Sequence, residues 1–279
     1  MEITLLDQKN AAPFLPMLQA DSRLKGKLVL GAVEDEKPCG VLVAFEEDRT
    51  LVIEHLYVPE NFRRKGVAAQ LLDALNNCGL SMQMDLSMAC FIQKEGDDAV
   101  SKCLQAGQFE KDEVESPVYQ FRFCDISPRY FSKRCSLSDI QILSLKAAGS
   151  TAWKHLCRQM EAMQEQDENG LVPVLQGKNC YDPVLSYLAV KNDSITGCIL
   201  VSRQQGFFLI DYLMAMGSET PLEMMGLFQA SYQMMKKTEP EDTIIRANAL
   251  TDVTGKMILK MTDQKARKIG TAVSWYYGY

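Results

Sequence analysis

The stretch Leu51-Val52-Ile53-Glu54-His55-Leu56-Tyr57-Val58-Pro59-Glu60-Asn61-Phe62-Arg63-Arg64-Lys65-Gly66-Val67-Ala68 decides the fold. An apolar strand, Leu51 to Val58, runs into Pro59, and three consecutive cations then open a helix. The positive end of a helix dipole favours Asp or Glu in its first turn and repels cations. Arg63, Arg64 and Lys65 therefore repel one another and the helix unless an anion sits among them, with backbone N–H groups from Lys65 to Ala68 as donors. Gly66 lets the backbone approach that anion with no Cβ in the way. Apolar positions 67, 68, 71, 72 and 75 then share one helical face, and Gly79 reads as its C′ stop. The unit predicts an anion-binding loop; the plainer alternative is a solvated basic turn.

Working outward, 279 residues of which 47% are hydrophobic predict about two domains with cores of their own. A net charge of −6 and a pI near 5.2 argue against a broad footprint for nucleic acid, so the basic loop is a local exception. No positively charged leader with an apolar core stands at the N-terminus, and no run of about 18 apolar residues occurs, so a cytoplasmic protein with no membrane partner is expected. Nine scattered cysteines without a CxxC pair fit reduced thiols, and two histidines without paired cysteines predict no metal.

Arg63-Arg64-Lys65-Gly66-Val67-Ala68 resembles the pyrophosphate loop of the GCN5-related N-acetyltransferases (GNAT), which reads Gln or Arg, two residues, Gly, one residue, then Gly or Ala. The lead-in Leu56-Tyr57-Val58-Pro59-Glu60-Asn61-Phe62 is similar to that family's as well. The resemblance implies an α/β fold with a mixed, twisted sheet splayed where the pantetheine arm of acetyl-CoA enters. It also implies that acetyl-CoA is held by Leu56, Tyr57 and Val58 on the strand and by Arg63, Arg64, Lys65, Gly66, Val67 and Ala68 on the loop and helix start.

The pattern predicts strands at 2–6, 28–34, 39–46, 50–58 and 82–88, helices near 11–20, 67–78 and 97–106, and a closing strand pair near 109–124. A second copy of the central hairpin follows. Gly40 precedes Glu54 by fourteen residues, and Gly197 precedes Asp211 by the same interval. Helical segments at 137–148 and 150–165 lead into strands 184–191, 197–202 and 206–214, helix 221–236, strand 242–249, helix 252–262 and strand 268–277. Two tandem GNAT-like domains are expected, 1–126 with the acetyl-CoA loop and 127–279 as a degenerate copy.

Degeneracy is read from charge, since no Lys or Arg occurs between Arg203 and Lys236. Thr220 with Glu223 reads as a capping box and Pro221 as the first helical residue, so an added pyrophosphate would meet Glu219 and Glu223. The second domain is then a scaffold, a substrate wall or, this half being acidic and Met-rich, a homodimer face, with the Met-rich run from Met214 to Met235 read as adaptable core.

Acetyl transfer to an amine needs a base, a polarised carbonyl and a proton for the departing thiolate. The resemblance places an acid at Glu54, where the competing reading is an exposed carboxylate on a solvated strand face. Strand alternation sends His55 to the opposite side as a packed residue. Backbone N–H near Tyr57 or Val58 is the expected oxyanion donor. The proton donor departs from the family pattern: Cys103 stands where a Tyr is usual and Gly96 where Asn is common, with Tyr57 or Tyr119 as substitutes. The expected activity is direct transfer of an acetyl group to a small-molecule or amino-acid-like amine in the first domain. The alternative is a non-catalytic acetyl-CoA sensor or interaction module. A nucleotide-phosphate enzyme lacks its GxxxxGK[ST] loop here.

Overall fold

The computed structural model describes residues 1–18, 26–47, 49–131, 139–164, 175, 177–216, 220–249 and 251–279. Two compact units result: Met1–Glu115 with Ala272–Tyr279, and Ser116–Thr271. In chain order the elements of the first stretch are β1 (Glu2–Leu5), β2 (Leu28–Glu34), β3 (Lys37–Glu47), β4 (Thr50–Tyr57), α1 (Val67–Ser81), β5 (Leu86–Gln93), α2 (Ala99–Ala106) and β6 (Glu110–Lys111). There follow β7 (Ser116–Arg122), β8 (Gln141–Ser144), α3 (Leu145–Gln164), β9 (Tyr187–Lys191), β10 (Ser194–Gln204), β11 (Phe207–Ala215), α4 (Thr220–Thr238), β12 (Ile244–Asn248), α5 (Asp252–Met261) and β13 (Arg267–Gly278).

The first unit is a sheet in the order β1-β2-β3-β4-β5, continued by the end of β13. β3 is apolar on both faces because both are covered. α1 and α2 bury Leu42, Ala44, Leu51, Leu71, Leu72, Leu75 and Leu104 on one side. The segment Ala12–Met17 seals Leu6, Phe14, Val29, Val41 and Val43 on the other. That segment is a 3-10 turn rather than the expected α-helix: Pro13 is tolerated in the first turn, but Pro16 inside the segment has no N–H for the bond an α-helix needs there.

The second unit is a sheet in the order β7-β12-β11-β10-β9-β8. α4 and α5 pack Leu227, Phe228, Ile258 and Met261 onto Ile199, Val201, Phe208 and Ile245. α3 covers the reverse face with Trp153, Leu156 and Met160 against Leu188, Cys198 and Leu200. Residues Gln141–Ser144, expected within a helix, instead pair as β8 with β9, and helix begins only at Leu145. Gly149 at φ 75° and ψ −170° then interrupts α3. The start of the expected helix 137–148, at 137–138, and the last residue of the expected helix 150–165 lie outside the described residues.

The duplicated spacing is a duplicated irregularity of the sheet. Between β3 and β4, Val43 faces His55 and Ala44 faces Ile53, which leaves Glu54 as the extra residue of a β-bulge. Between β10 and β11, Leu200 faces Tyr212 and Val201 faces Ile210, which leaves Asp211 in the same position. A second pair of bulges precedes the two glycines: Cys39 before Gly40 and Thr196 before Gly197.

The expected division at 126/127 follows chain order, whereas the compact units are assigned by packing. β7, read from sequence as closing the first domain, belongs to the second unit, and Ala272–Tyr279 belong to the first. There Val273 and Trp275 join Leu72, Ala89 and Phe109 in one core. Gly79 is not the helix stop that the sequence predicts: α1 runs past it to Ser81. A Cβ at Gly79 would lie 1.9 Å from the Tyr279 hydroxyl, which itself bonds Ser87. The prolonged helix displaces β5 from the expected 82–88 to Leu86–Gln93.

Candidate functional site

In the first unit β4 and β5 pair in parallel only from Thr50↔Leu86 to Ile53↔Ala89, although the strands run on to Tyr57 and Gln93. Beyond Ile53 the backbone of β4 has no such partner among the described residues, so the N–H groups expected to serve as oxyanion donors near Tyr57 and Val58 border the opening.

The basic loop follows directly. Glu60–Phe62 form a 3-10 turn, and Arg63 Nε donates to the Val58 carbonyl at 3.0 Å. Arg64 sits in the left-handed region at φ 64°, a conformation that disfavours a side chain and here turns the chain toward the helix. Gly66, also left-handed at φ 81°, is the N-cap of α1 and offers no capping side chain, and the first turn contains no acid. Arg63, Arg64, Lys65 and Gly66 are all exposed, while Val67 is buried. Lys65 Nζ lies 5.2 Å from the Phe62 ring centroid. A 15-residue helix thus begins with uncapped N–H groups among three cations, the arrangement that receives a phosphate.

Glu54 keeps 39% of its side chain exposed and forms an ion pair with Lys27, whose side chain is 20% exposed. His55 Nε2 lies 2.8 Å from the Met17 carbonyl, which only accepts, so that nitrogen carries the proton. His55 also stacks on Tyr57, with ring centroids 6.2 Å apart. The bulge breaks the alternation expected to set Glu54 and His55 on opposite faces.

Cys103 on α2 is half-buried against the first core, and burial pushes its thiol up, so it stays protonated at neutral pH. No hydrogen bond or ion pair among the described residues joins it to Glu54. Tyr119 belongs to the second unit, packed beside Phe121 and Ile258.

The sequence missed a cluster in the first unit. Cys90 Sγ lies 3.2 Å from Ser274 Oγ, and the Tyr276 hydroxyl donates to Asp112 at 3.2 Å. Burial first, and then the charge of Asp112, push Tyr276 up to about 12. No local signal announces this cluster, because Ser274 and Tyr276 lie more than a hundred residues from their partners.

The second unit repeats the splay. β11 and β12 pair from Phe208↔Ile245 to Ile210↔Ala247, and β11 continues to Ala215. A cavity of about 190 Å³ occupies this opening, lined by Phe121, Asp211, Met214, Phe228, Asn248 and Met257 among others. Asp211 is largely buried; desolvation, opposed by a hydrogen bond from Ser202, pushes its carboxyl up to about 6. Its Oδ2 is sealed from solvent and has no hydrogen-bond partner. The first turn of α4 carries Glu223, only 1% exposed. Glu219 and the side chains of Thr220 and Pro221 lie outside the described residues, so the expected capping box does too.

Among the described residues no helix is long and apolar enough to cross a membrane, and no cluster of three or more His, Cys, Asp or Glu could hold a metal ion.

Residues 5–85 match the acetyltransferase (GNAT) family. No curated protein sequence matches the chain. Among solved structures, a tandem GNAT protein from the clavulanic acid biosynthesis pathway, without acetyl-CoA, aligns over 99% of this chain and 98% of its own at 12% identity and a TM-score of 0.66. A GCN5-related N-acetyltransferase from Sphaerobacter thermophilus covers 93% of this chain and 82% of its own at 12% identity, TM-score 0.56. A GCN5-related glucosamine N-acetyltransferase region of a fungal multi-domain β-N-acetylglucosaminidase covers 99% of this chain at 10% identity, TM-score 0.68; this chain spans 38% of that protein. At such identities the likeness carries the fold. The fold is that of a tandem GNAT protein, with the family match on the half that holds the basic loop.

Proposed function

We propose that the first unit is an acetyl-CoA-dependent N-acetyltransferase of the cytoplasm, acting on the amine of a small molecule or amino-acid-like acceptor. The observation that carries this reading is the uncapped, three-cation start of α1 beside the splayed end of β4. Arg63, Arg64 and Lys65, with the first-turn N–H groups, are suited to the pyrophosphate. The backbone of Leu56, Tyr57 and Val58 borders the opening where a pantetheine arm would run, and an N–H there would donate to the thioester oxygen. Acetyl-CoA supplies an acetyl group already activated as a thioester.

Glu54 takes the proton from the acceptor amine, directly or through one water, as the new C–N bond forms. It first has to part from Lys27, a short step for an exposed ion pair. The Cys103 thiol, kept neutral by burial, returns a proton to the departing sulfur as the C–S bond breaks. Both roles require the full constellation to assemble around bound substrates.

A second reading, an acetyl-CoA sensor, draws on the Glu54–Lys27 pair and on Cys103 standing where a stronger proton donor is usual. Calorimetry with acetyl-CoA, followed by thiol release against a panel of amines, tests both. Binding with turnover on at least one amine supports the enzyme. Binding without turnover on any supports the sensor, and no binding overturns both.

A further inference from the structure

The cavity of the second unit has a chemistry that scaffolding does not explain. An interior built only for support is filled to close packing, and a buried carboxylate in such an interior is paired. Here a void of about 190 Å³ is walled by Phe121, Ile210, Leu213, Met214, Phe228 and Met257, and Asp211 is the one acid among the described residues of its lining. Those residues include no Lys, Arg or His. Its threonines are partly committed: Thr251 Oγ1 accepts from the Thr254 N–H at 3.2 Å, and Thr262 Oγ1 donates to the Ile258 carbonyl at 2.9 Å. What is left is the Asn248 amide and the Asp211 carboxylate, which borders the mostly apolar chamber and has one oxygen, Oδ2, shut off from solvent with no hydrogen-bond partner.

Such a chamber repels anions. It has no cation to hold a phosphate, and the helix start that served that purpose in the first unit carries the buried Glu223 in the second. The missing complement is an N–H donor bearing positive charge, because a charge-assisted bond to a carboxylate is about twice as strong as a neutral one. The rest of the ligand must be apolar to match the walls. A void of about 150 Å³ accepts a benzene ring, so this one has room for a ring and a short chain. The methionines at 214 and 257 let the walls adjust to a range of shapes.

We propose that the second unit binds a compact primary amine with an aromatic or aliphatic body, its ammonium on the Asp211 carboxylate and its apolar part between Phe121, Phe228 and Met257. This site is built wholly from the second unit and does not depend on acetyl transfer by the first.

The test is calorimetry on the full chain with 2-phenylethylamine, against 2-phenylethanol as a probe of the same size without the charge. One amine should bind per chain, with the alcohol weaker by about 10-fold or more. Asp211→Asn should weaken the amine by about 10-fold to 100-fold and leave acetyl-CoA affinity unchanged. Ala247→Leu, which fills the cavity from β12, should also remove amine binding. Glu54→Gln and Arg63→Ala, both confined to the first unit, should leave it intact, so a failure of the proposed acetyl transfer would be seen separately. Absence of amine binding, equal affinity for amine and alcohol, or unchanged affinity in Asp211→Asn would each overturn the site. So would amine binding retained in a folded Ala247→Leu chain.

Discussion

Glu54 and Asp211 are each the unpaired residue of a bulge on the strand that leads into a splay, fourteen residues after a glycine. Glu54 is solvated and paired with Lys27, whereas Asp211 is sealed beside a cavity. The helix starts diverge in the same sense: α1 leaves its N–H groups open among cations, and α4 carries a buried glutamate in its first turn. A bulge therefore places an acid at the mouth of a splay, and the surroundings decide its chemistry. Exposure suits exchange of protons with a passing substrate, while burial suits holding a complementary charge.

The widest separation of the two units should appear in cofactor affinity. Arg63→Ala with Lys65→Ala removes two cations from the loop, and each charge-assisted bond to phosphate is worth about 1.5–3 kcal/mol, so acetyl-CoA binding should weaken more than 100-fold. Titration calorimetry reads this, and a stoichiometry of two per chain would erase the asymmetry.

The comparison sharpens next in rate. Glu54→Gln should lower acetyl transfer roughly 10²-fold with acetyl-CoA affinity nearly unchanged, while Asp211→Asn should leave the rate alone. Turnover against pH for both variants decides it. Superimposable profiles for Glu54→Gln and the parent would reduce Glu54 to a solvated strand residue.

Stability should single out the other acid. The folded-state value for Asp211, about 6, lies above its ordinary 3.8, so the native state favours the protonated form. Stability contributed below pH 4 is lost as pH rises toward 6, up to about 3 kcal/mol for this gap. Asp211→Asn should therefore gain on the parent from about pH 4 to about pH 6 and hold that lead above it, as read by urea midpoints. A constant difference would mean that Asp211 is as well solvated as Glu54.

The smallest effects should come from the paired glycines. A Cβ at Gly40 would meet Val67 Cγ1 at 2.7 Å, and one at Gly197 would meet the Met214 carbonyl oxygen at 2.8 Å. Each Gly→Ala should cost about 1–3 kcal/mol by overpacking. Only Gly40→Ala presses on the start of α1, so only it should also loosen acetyl-CoA. Equal loosening by both would break the assignment.

The basic loop was legible because its signal is local: cations at a helix start conflict with the dipole wherever the strand goes. The repeat was legible because a glycine and an acid at fixed spacing survive duplication, although the bulges beneath them were not. A bulge changes pairing register without changing composition, so simple strand alternation cannot be carried through Glu54 to His55. Pro16 is visible in the sequence, and its missing N–H is the local reason that the helix expected near 11–20 is a 3-10 turn. Gln141–Ser144 is too short for its pairing with β9 to show in periodicity. The cavity at Asp211 depends on residues from β7, β11, β12, α4 and α5, which no spacing rule brings together.

The first unit is completed by Ala272–Tyr279, which follow the 156 residues of Ser116–Thr271. A ribosome adding about 5–20 residues per second needs roughly 8–30 s to cross that interval. During it the nascent first sheet lacks Val273 and Trp275 beside Ala89 and Phe109, while the contiguous second unit is being made and is complete once Thr271 is added, just before those residues. Birth order is thus the reverse of reading order: the half translated later matures earlier, and the half with the basic loop waits, one edge open, for a strand still to be made.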